Sequence, residues 1–340
     1  MKPALKLATA LCTMLSLIGC DSSSEGISVY SAREEQLIKP LLDDFTEQTG
    51  IEVNLVTGDA DELLQRLASE GRNTPADVLI TTDAGRLHRA EKLGLLQPVR
   101  SAILNAAIPA NYRDTDGYWF GLSMRARPIM YVKGRVDPAQ LSTYEALADK
   151  RWRKEICIRT SSNIYNQSLV ASMIASLGEE RAERWARGLV NNFARKPTDG
   201  DRDQIEAAAA GVCDIAIANT YYYGQMLNDP DRSQQEAASK VAIFWPNQEE
   251  RGTHVNISGA GVTKAARHRQ DAVKLLEFLV SDEAQHWYAQ ANQEYPVKVG
   301  VAASETLRSW GDFKADSLNL SRLGELNAKA VKLMDRVGWP

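Results

Sequence analysis

The sequence predicts an α/β protein with two lobes, each containing a mainly parallel sheet flanked by helices. Strand-like and helix-like segments alternate through the chain, which favours parallel sheets covered on both faces. The chain has 340 residues, of which 44% are hydrophobic. This is enough for two hydrophobic cores, because single cores stop growing near about 250–300 residues. An extended segment at 116–132 interrupts the alternation, and its two arginines and its proline suit a hinge strand between lobes.

The amino terminus resembles a bacterial lipoprotein signal. Lys2 and Lys6 precede an apolar stretch at 8–18 that is too short to span a bilayer as a mature helix. The stretch leads to Cys20 within a sequence that resembles a lipobox, whose cysteine becomes the lipidated first residue. We therefore expect a lipoprotein signal peptide at 1–19. An ordinary signal peptide with a chance cysteine is the alternative.

A lipid on Cys20 predicts where the protein lies. Residues 20–26 form a polar tether, and no later apolar run is long enough to span a membrane. The membrane would then hold the body only through its lipid. Asp21 resembles the signal that retains Gram-negative lipoproteins at the inner membrane. We expect a periplasmic protein anchored to the inner membrane, or one on the extracytoplasmic face of a single-membrane host.

Charge and motifs weigh against several classes of function. The formal net charge is −4, so no basic footprint for nucleic acid is visible. The sequence contains no GxSxG, HExxH or Walker A motif, and no GxGxxG follows a strand. The histidines are scattered, and the acidic segment 199–203 is interpreted as a solvated loop. We therefore predict neither an enzyme nor a nucleic-acid partner.

The first lobe is predicted at 27–125 and 248–300. Its apolar residues alternate in the strands and recur at helical spacing in the helices. In chain order we expect a strand at 27–33, a helix that carries Leu37 to Phe45 and ends at Gly50, a strand at 51–56, a helix at 59–70 and a strand at 75–81.

The second lobe is predicted at 126–247, and the chain returns to the first lobe through two further strands. We expect a strand at 156–159, a loop at 160–167, helices at 168–177 and 205–210, a strand at 213–218, returning strands at 241–246 and 255–262, a helix at 271–285, and terminal helices within 301–340 that pack on the lobes.

Three consecutive tyrosines, Tyr221 to Tyr223, follow the predicted strand at 213–218. We expect them at the turn after that strand, with Gly224 free to make the turn. Ligands bind at the carboxyl ends of strands in open α/β sheets. A phenol has an ordinary pKa of about 10 and becomes a hard oxygen donor when it loses its proton. Hard donors select hard cations such as Fe(III), whereas an aromatic core cluster or a sugar-stacking platform is the alternative.

Two further tyrosines occupy comparable positions. Tyr30 ends the first strand of the first lobe, and Tyr165 follows a strand of the second lobe. Clefts between domains are preferred sites for small ligands. The placement of Tyr30, Tyr165 and the tyrosine triplet therefore predicts a site in a cleft between the lobes.

Four segments carry a resemblance to a known family: 29–33, 156–168, 219–224 and 251–262. Their residues and their order resemble those of the ferric-iron-binding proteins of bacterial ABC importers, which are type II periplasmic binding proteins. The adjacent tyrosines after an aliphatic strand are the specific part. The resemblance implies a two-lobed fold with hinge strands, a monomer, and an ABC permease with its ATPase as partners.

The resemblance also implies roles for individual residues. The metal ligands would be Tyr30, Tyr165, Tyr221 and Tyr222, while Tyr223 would pack nearby. Residues near the metal or its accompanying anion would be Arg125, Arg127, Asn219 and Ser161. Carbonate or water would complete the coordination of Fe(III), the transported ligand. This chain has Gln225 where many members have an arginine.

Two cysteines remain after lipidation and loss of the signal peptide, namely Cys157 and Cys213. Both lie in strand-like segments of a protein expected in an oxidising compartment, so a disulfide is plausible. Two reduced, buried thiols are the alternative.

Two hypotheses for the function follow from the sequence. In the first, the protein captures Fe(III) with tyrosinate ligands in the cleft and delivers it to an ABC permease. In the second, the same fold binds an oxyanion or small organic ligand such as sulfate, a phosphonate or a polyamine. Stacking phenols with Arg125 and Arg127 would serve that second role, and segment 160–162 would partly supply the serine-rich helix start that an oxyanion needs.

Overall fold

The structure is a computed structural model that describes residues 26–340. The predicted signal peptide and Cys20 lie outside the described residues. None of the described helices combines the length and apolar character needed to cross a membrane.

The described chain contains ten strands and thirteen α-helices, numbered in chain order. The strands are β1 Ile27–Ser31, β2 Val53–Thr57, β3 Val78–Thr82, β4 Phe120–Ala126, β5 Ile129–Val132, β6 Ile156–Cys157, β7 Ile215–Ile217, β8 Val241–Phe244, β9 Val255–Val262 and β10 Tyr295–Pro296. The helices are α1 Glu35–Thr49, α2 Ala60–Glu70, α3 Ala84–Lys92, α4 Ala102–Ala107, α5 Ile164–Leu177, α6 Glu179–Asn191, α7 Asp201–Ala209, α8 Thr220–Leu227, α9 Arg232–Ser239, α10 Arg269–Phe278, α11 Asp282–Gln290, α12 Glu305–Arg308 and α13 Ser321–Arg336.

The strands form two separate sheets, which confirms the two-lobed α/β prediction. The first sheet has the order β10-β4-β9-β3-β1-β2, and the second has the order β6-β7-β5-β8. The chain passes from the first sheet to the second between Ala126 and Ile129, within the predicted hinge segment, and returns between Phe244 and Val255.

Strand pairing is mixed, which differs from the mainly parallel sheets that the sequence predicts. Parallel pairs join β1 to β2, β1 to β3 and β6 to β7. The strands beside the two crossings, β4, β5, β8 and β9, pair antiparallel with every neighbour. Strands β5 and β9 enter their sheets directly from the other lobe, and β4 and β8 lead out to it. No crossover helix joins β4 to β5 or β8 to β9, so the βαβ connection that makes neighbours parallel is missing there.

One helix begins earlier than the sequence predicts and another replaces a predicted turn, and both differences matter for the site. Helix α5 begins at Ile164 and not at 168, because the side chain of Asn163 caps it by accepting a hydrogen bond from the Tyr165 backbone N–H at 3.0 Å. Tyr165 therefore lies in the first turn of a helix. The tyrosine triplet likewise lies at the start of helix α8 and not in a turn.

Gly224 lies inside helix α8 and makes no turn. A Cβ at this position would lie 2.8 Å from the Cβ of Gln293 and 3.2 Å from the ring of Trp310. Glycine is therefore required here because neighbouring elements pack too closely for a side chain, and not because the backbone makes a turn.

The helix predicted at 271–285 is broken into two helices, α10 and α11. The break occurs because the hydroxyl of Ser281 caps α11 by accepting a hydrogen bond from the Ala284 N–H at 3.2 Å.

The carboxyl-terminal helix α13 packs against α3 of the first lobe and α5 of the second. Beyond it, the indole of the buried Trp339 donates to the Arg159 carbonyl at 3.1 Å. The Ser161 backbone N–H donates to the Pro340 carbonyl at 2.7 Å. The end of the chain thus fixes the loop that leads to Tyr165.

Cys157 and Cys213 form a disulfide in the second lobe. Their sulfur atoms are 2.00 Å apart and their Cα atoms 6.0 Å apart. Cys157 ends β6, and Cys213 lies two residues before β7. The bond therefore joins the end of β6 to the segment just before β7, and these two neighbouring strands lead to α5 and α8.

Candidate metal centre

The side chains of Tyr165, Tyr221 and Tyr222 form one cluster in the second lobe. The Tyr221 hydroxyl lies 3.2 Å from the Tyr165 hydroxyl oxygen and donates to it. The rings of Tyr221 and Tyr222 have centroids 4.1 Å apart and are tilted by 33°. These phenols line a cleft of about 150 Å³ whose opposite wall includes Arg33, Glu34, Thr82 and Glu294 of the first lobe.

The strand order explains why these tyrosines meet. Strands β6 and β7 are parallel neighbours, so their carboxyl ends lie at the same edge of the sheet. Helix α5 follows β6, and α8 follows β7 after only two residues. Both helices therefore begin at this edge, with Tyr165 and Tyr221 in their first turns. The partial positive charge of a helix amino terminus stabilises an anion such as a phenolate.

Burial raises the pKa values of the phenols of Tyr221 and Tyr222 further above neutral pH. The pKa of Tyr221 is raised well above its ordinary value by burial and by the neighbouring phenols Tyr165 and Tyr222, while Arg125 opposes the shift. The pKa of Tyr222 is also raised by burial, then by Tyr165 and Asp201, while Arg159 lowers it. A cation must therefore displace these protons to bind the phenolate oxygens.

Two guanidinium groups lie close to the ring of Tyr165. Arg125 and Arg159 have their central carbons 5.5 and 5.7 Å from the ring centroid. Arg125 is 1% exposed and donates to the Ser258 hydroxyl at 3.3 Å, while its Nε and Nη2 find no partner among the described residues. Arg159 is not among the residues predicted from the sequence, although its position just after β6 is a signal that it lies at the same sheet edge.

Arg127 is buried in the core of the second lobe and does not line the cleft. It forms a buried ion pair with Asp201 at 3.0 Å and donates to the side-chain oxygens of Asn219 at 2.9 Å and Asn166 at 2.8 Å. Asn219 immediately precedes α8, and Asn166 lies in α5. Arg127 and Asn219 thus hold the starts of both tyrosine-bearing helices, and Asp201 is buried and not part of a solvated loop.

Tyr30 lies apart from the tyrosine cluster. Its ring is fully buried, and its hydroxyl lies 3.0 and 2.9 Å from the two carboxylate oxygens of Glu70, to which it donates. The guanidinium of Arg66 covers the ring at 4.8 Å. Burial and the hydrogen bond to Glu70 raise the pKa of Tyr30. The structure therefore does not bring Tyr30 together with the other predicted ligands.

Glu34 is the first-lobe carboxylate that the sequence analysis missed. It lines the cleft opposite the phenols, is exposed, and accepts from the Gln36 side-chain amide at 2.5 Å. The other acid on this wall, Glu294, is buried and paired with Arg33. Burial opposes ionisation of Glu294, but Arg33 and Arg125 outweigh it and lower its pKa. The position of Glu34 just beyond the carboxyl end of β1 is the signal that could have identified it.

The remaining predicted residues lie outside the cleft. The Tyr223 hydroxyl donates to the Val241 carbonyl at 2.8 Å, and its ring packs beside Trp310. Burial raises the pKa of Tyr223 to about 12. Ser161 bonds through its backbone to Pro340, as described above, and to the Gln167 side chain at 3.0 Å. Tyr223 thus packs, as the resemblance implies.

Nitrogen and sulfur ligands offer no competing metal site in the part of the chain that the structure describes. Across residues 26–340, no three His, Cys, Asp or Glu side chains come together in a group that could hold a metal ion. The candidate metal donors of the second lobe are the phenol oxygens of Tyr165, Tyr221 and Tyr222, which line the cleft.

Two sheets joined by crossing strands, with a polar cleft between the lobes, define a two-lobed ligand-binding protein. The model of the bacterial extracellular solute-binding protein family matches residues 73–315, and the chain belongs to that family. It is a solute-binding protein and not an enzyme, and its type II periplasmic binding fold agrees with the prediction.

Similar proteins are known in sequence and in structure. The chain is 52% identical to iron uptake protein A1 of Synechocystis sp. over 313 residues, which are 92% of this chain and 87% of the relative. The structure of the Trichodesmium IdiA/FutA protein in complex with iron and citrate superposes with a TM-score of 0.91 at 52% identity, covering 93% of this chain and all of that one (100%). Mannheimia haemolytica ferric iron-binding protein A in an open conformation gives a TM-score of 0.86 at 40% identity, with coverage of 92% and 98%.

Proposed function

We propose that this protein captures Fe(III) in the cleft between its lobes, using the phenolate oxygens of Tyr165, Tyr221 and Tyr222. The observation that carries the proposal is the convergence of three phenols at two helix starts, with the Tyr165 and Tyr221 oxygens 3.2 Å apart. Phenolates are hard donors and favour a hard trivalent cation over Cu(I) or Zn(II). The iron-binding proteins among its relatives support the same cargo.

The first lobe supplies Glu34 as its ligand in this proposal, in place of Tyr30. The Tyr30 hydroxyl is bonded to Glu70 within the core, so it would have to leave a satisfied partner to reach the ion. Glu34 faces the phenols across the cleft, and its carboxylate is a hard donor. Contact between Glu34 and the bound ion would stabilise the closed arrangement of the lobes.

A small anion such as carbonate, or water, completes the coordination. Arg125 supports this, because its Nε and Nη2 lack partners among the described residues and it lies beside Tyr165. Buried guanidinium groups without partners are costly, so a bound acceptor would be stabilising.

Delivery of the ion to an ABC permease and its ATPase is the second part of the proposal. A lipid on Cys20 would keep the protein near the permease at the periplasmic face of the inner membrane. The lobes would close around Fe(III), and the permease could then distinguish the loaded, closed protein from the empty, open one by its shape. A monomer is sufficient, since the described cleft is formed within one chain.

Phenylalanine variants test the ligand set. Tyr221→Phe and Tyr222→Phe each keep the ring and remove the donor oxygen, so we expect Fe(III) affinity and the visible phenolate-to-iron absorbance to fall sharply with the fold retained. Tyr223→Phe is the matched control, because the Tyr223 hydroxyl is bonded to Val241. Unchanged iron binding in both Tyr221→Phe and Tyr222→Phe would reject the proposal. A colourless wild-type complex would favour an organic or oxyanion ligand instead.

A further inference from the structure

A buried carboxylate, Asp83, lies where strand β3 meets helix α3 in the first lobe. It is 0% exposed, and its backbone φ of +82° is uncommon for a residue with a side chain. Such strained positions persist where surrounding contacts fix them, and they cluster at functional sites. Its neighbour Thr82 lines the cleft. Asp83 is therefore one residue from the wall that faces the tyrosine cluster.

The Asp83 carboxylate accepts hydrogen bonds from three separate elements. The Gly85 N–H of α3 donates at 2.8 Å, and the Asn256 amide of the crossing strand β9 donates at 2.8 Å. The hydroxyl of Ser168 lies 2.9 Å from each of the two carboxylate oxygens. Ser168 belongs to α5 of the second lobe, so this last hydrogen bond joins the two lobes.

Ser168 is coupled to the tyrosine cluster by helix geometry. It follows Tyr165 by three residues in α5, so the two side chains project from neighbouring positions on the helix surface. Ser168 is itself fully buried. A change in the distance between Asp83 and Ser168 therefore moves the helix start that carries Tyr165 relative to the first lobe.

We propose that Asp83 and Ser168 form an interlobe clasp that holds the closed arrangement and positions Tyr165 opposite the first-lobe wall. The inference rests on the proposed function for its link to iron. Asp83 already caps α3 and binds Asn256 within its own side of the molecule. The Ser168 hydroxyl adds a charge-assisted bond that exists only when the lobes meet.

Ser168→Ala tests the clasp, since it removes the hydroxyl and leaves the contacts of Asp83 with Gly85 and Asn256. Ser172→Ala is the matched control: it lies one turn further along α5, is 2% exposed, and its hydroxyl donates to the Leu169 carbonyl within the same helix. The full mature protein would be loaded with Fe(III) and mixed with excess chelator. Loss of a hydrogen bond to a charged group predicts iron release faster by about tenfold or more in Ser168→Ala, and wild-type release in Ser172→Ala.

Small-angle scattering distinguishes the loss of the interlobe hydrogen bond from a general loss of stability. We expect Ser168→Ala to be more open than Ser172→Ala both with and without iron, while the two apo variants unfold at similar temperatures. Equal release rates and equal scattering for the two variants would overturn the clasp. If wild-type protein takes up no Fe(III), the proposed function fails, and the scattering of the apo proteins still decides the clasp.

Discussion

The strongest quantitative prediction concerns the pH dependence of Fe(III) binding. Burial and neighbouring phenols raise the pKa of Tyr221 and Tyr222, so both are protonated throughout the neutral range. Each phenolate that binds the ion must release one proton. The protons of Tyr221 and Tyr222 alone change the affinity by about a hundredfold per pH unit, because each contributes tenfold. Affinity therefore falls as pH falls.

Competition with citrate, corrected for the protonation of citrate and the hydrolysis of Fe(III), measures this slope between about pH 6 and pH 8. Tyr221→Phe should reduce the slope by one proton, to about a tenth of the wild-type change per pH unit. Tyr223→Phe should leave the slope unchanged, because that hydroxyl stays bonded to Val241. A corrected affinity that does not vary with pH, or an unchanged slope in Tyr221→Phe, would refute the reasoning.

Three further predictions test other parts of the account. Tyr30→Phe should lower the free energy of unfolding by about 1–3 kcal/mol, since the Glu70 carboxylate loses the Tyr30 hydroxyl as a hydrogen-bond partner. The Fe(III) affinity of this variant should stay within a few-fold of wild type, and a large loss of affinity would indicate that Tyr30 is a ligand. The Cys157–Cys213 disulfide spans a sequence separation of 56 and should stabilise the fold by about 4 kcal/mol. The double variant Cys157→Ser, Cys213→Ser should therefore unfold at a much lower denaturant concentration than wild type. Two alkylatable thiols in unreduced wild-type protein would contradict the bond. Cys20→Ser should release the protein from membranes into the soluble fraction, and continued membrane association would argue against a single lipid anchor.

The tyrosine pair could be predicted from the sequence because its signals are local. An apolar strand followed at once by Tyr221 and Tyr222 places both at a carboxyl sheet edge, and the structure puts them there. Tyr30 also lies near the end of a strand, but side chains alternate between the two faces of a sheet. The structure directs Tyr30 to Glu70, at the end of α2, and away from the cleft. Strand position alone could not decide which face carries the residue.

Long-range partners explain most of the other differences. Strands β4 and β9 are more than a hundred residues apart in the chain, and no local pattern reveals that they pair antiparallel. Arg127 and Asp201 are separated by 74 residues, and only their pairing shows that the acid is buried. A charged residue near a hinge is equally compatible with ligand binding and with a core ion pair.

The most direct test of the central claim is the structure of the iron-loaded protein, with anomalous scattering at the iron absorption edge to locate the metal. The account predicts a single iron peak within coordination distance of the phenol oxygens of Tyr165, Tyr221 and Tyr222, with the Glu34 carboxylate approaching it from the first lobe. An iron peak outside this cluster, or one bound by Tyr30 with Glu34 turned to solvent, would contradict it.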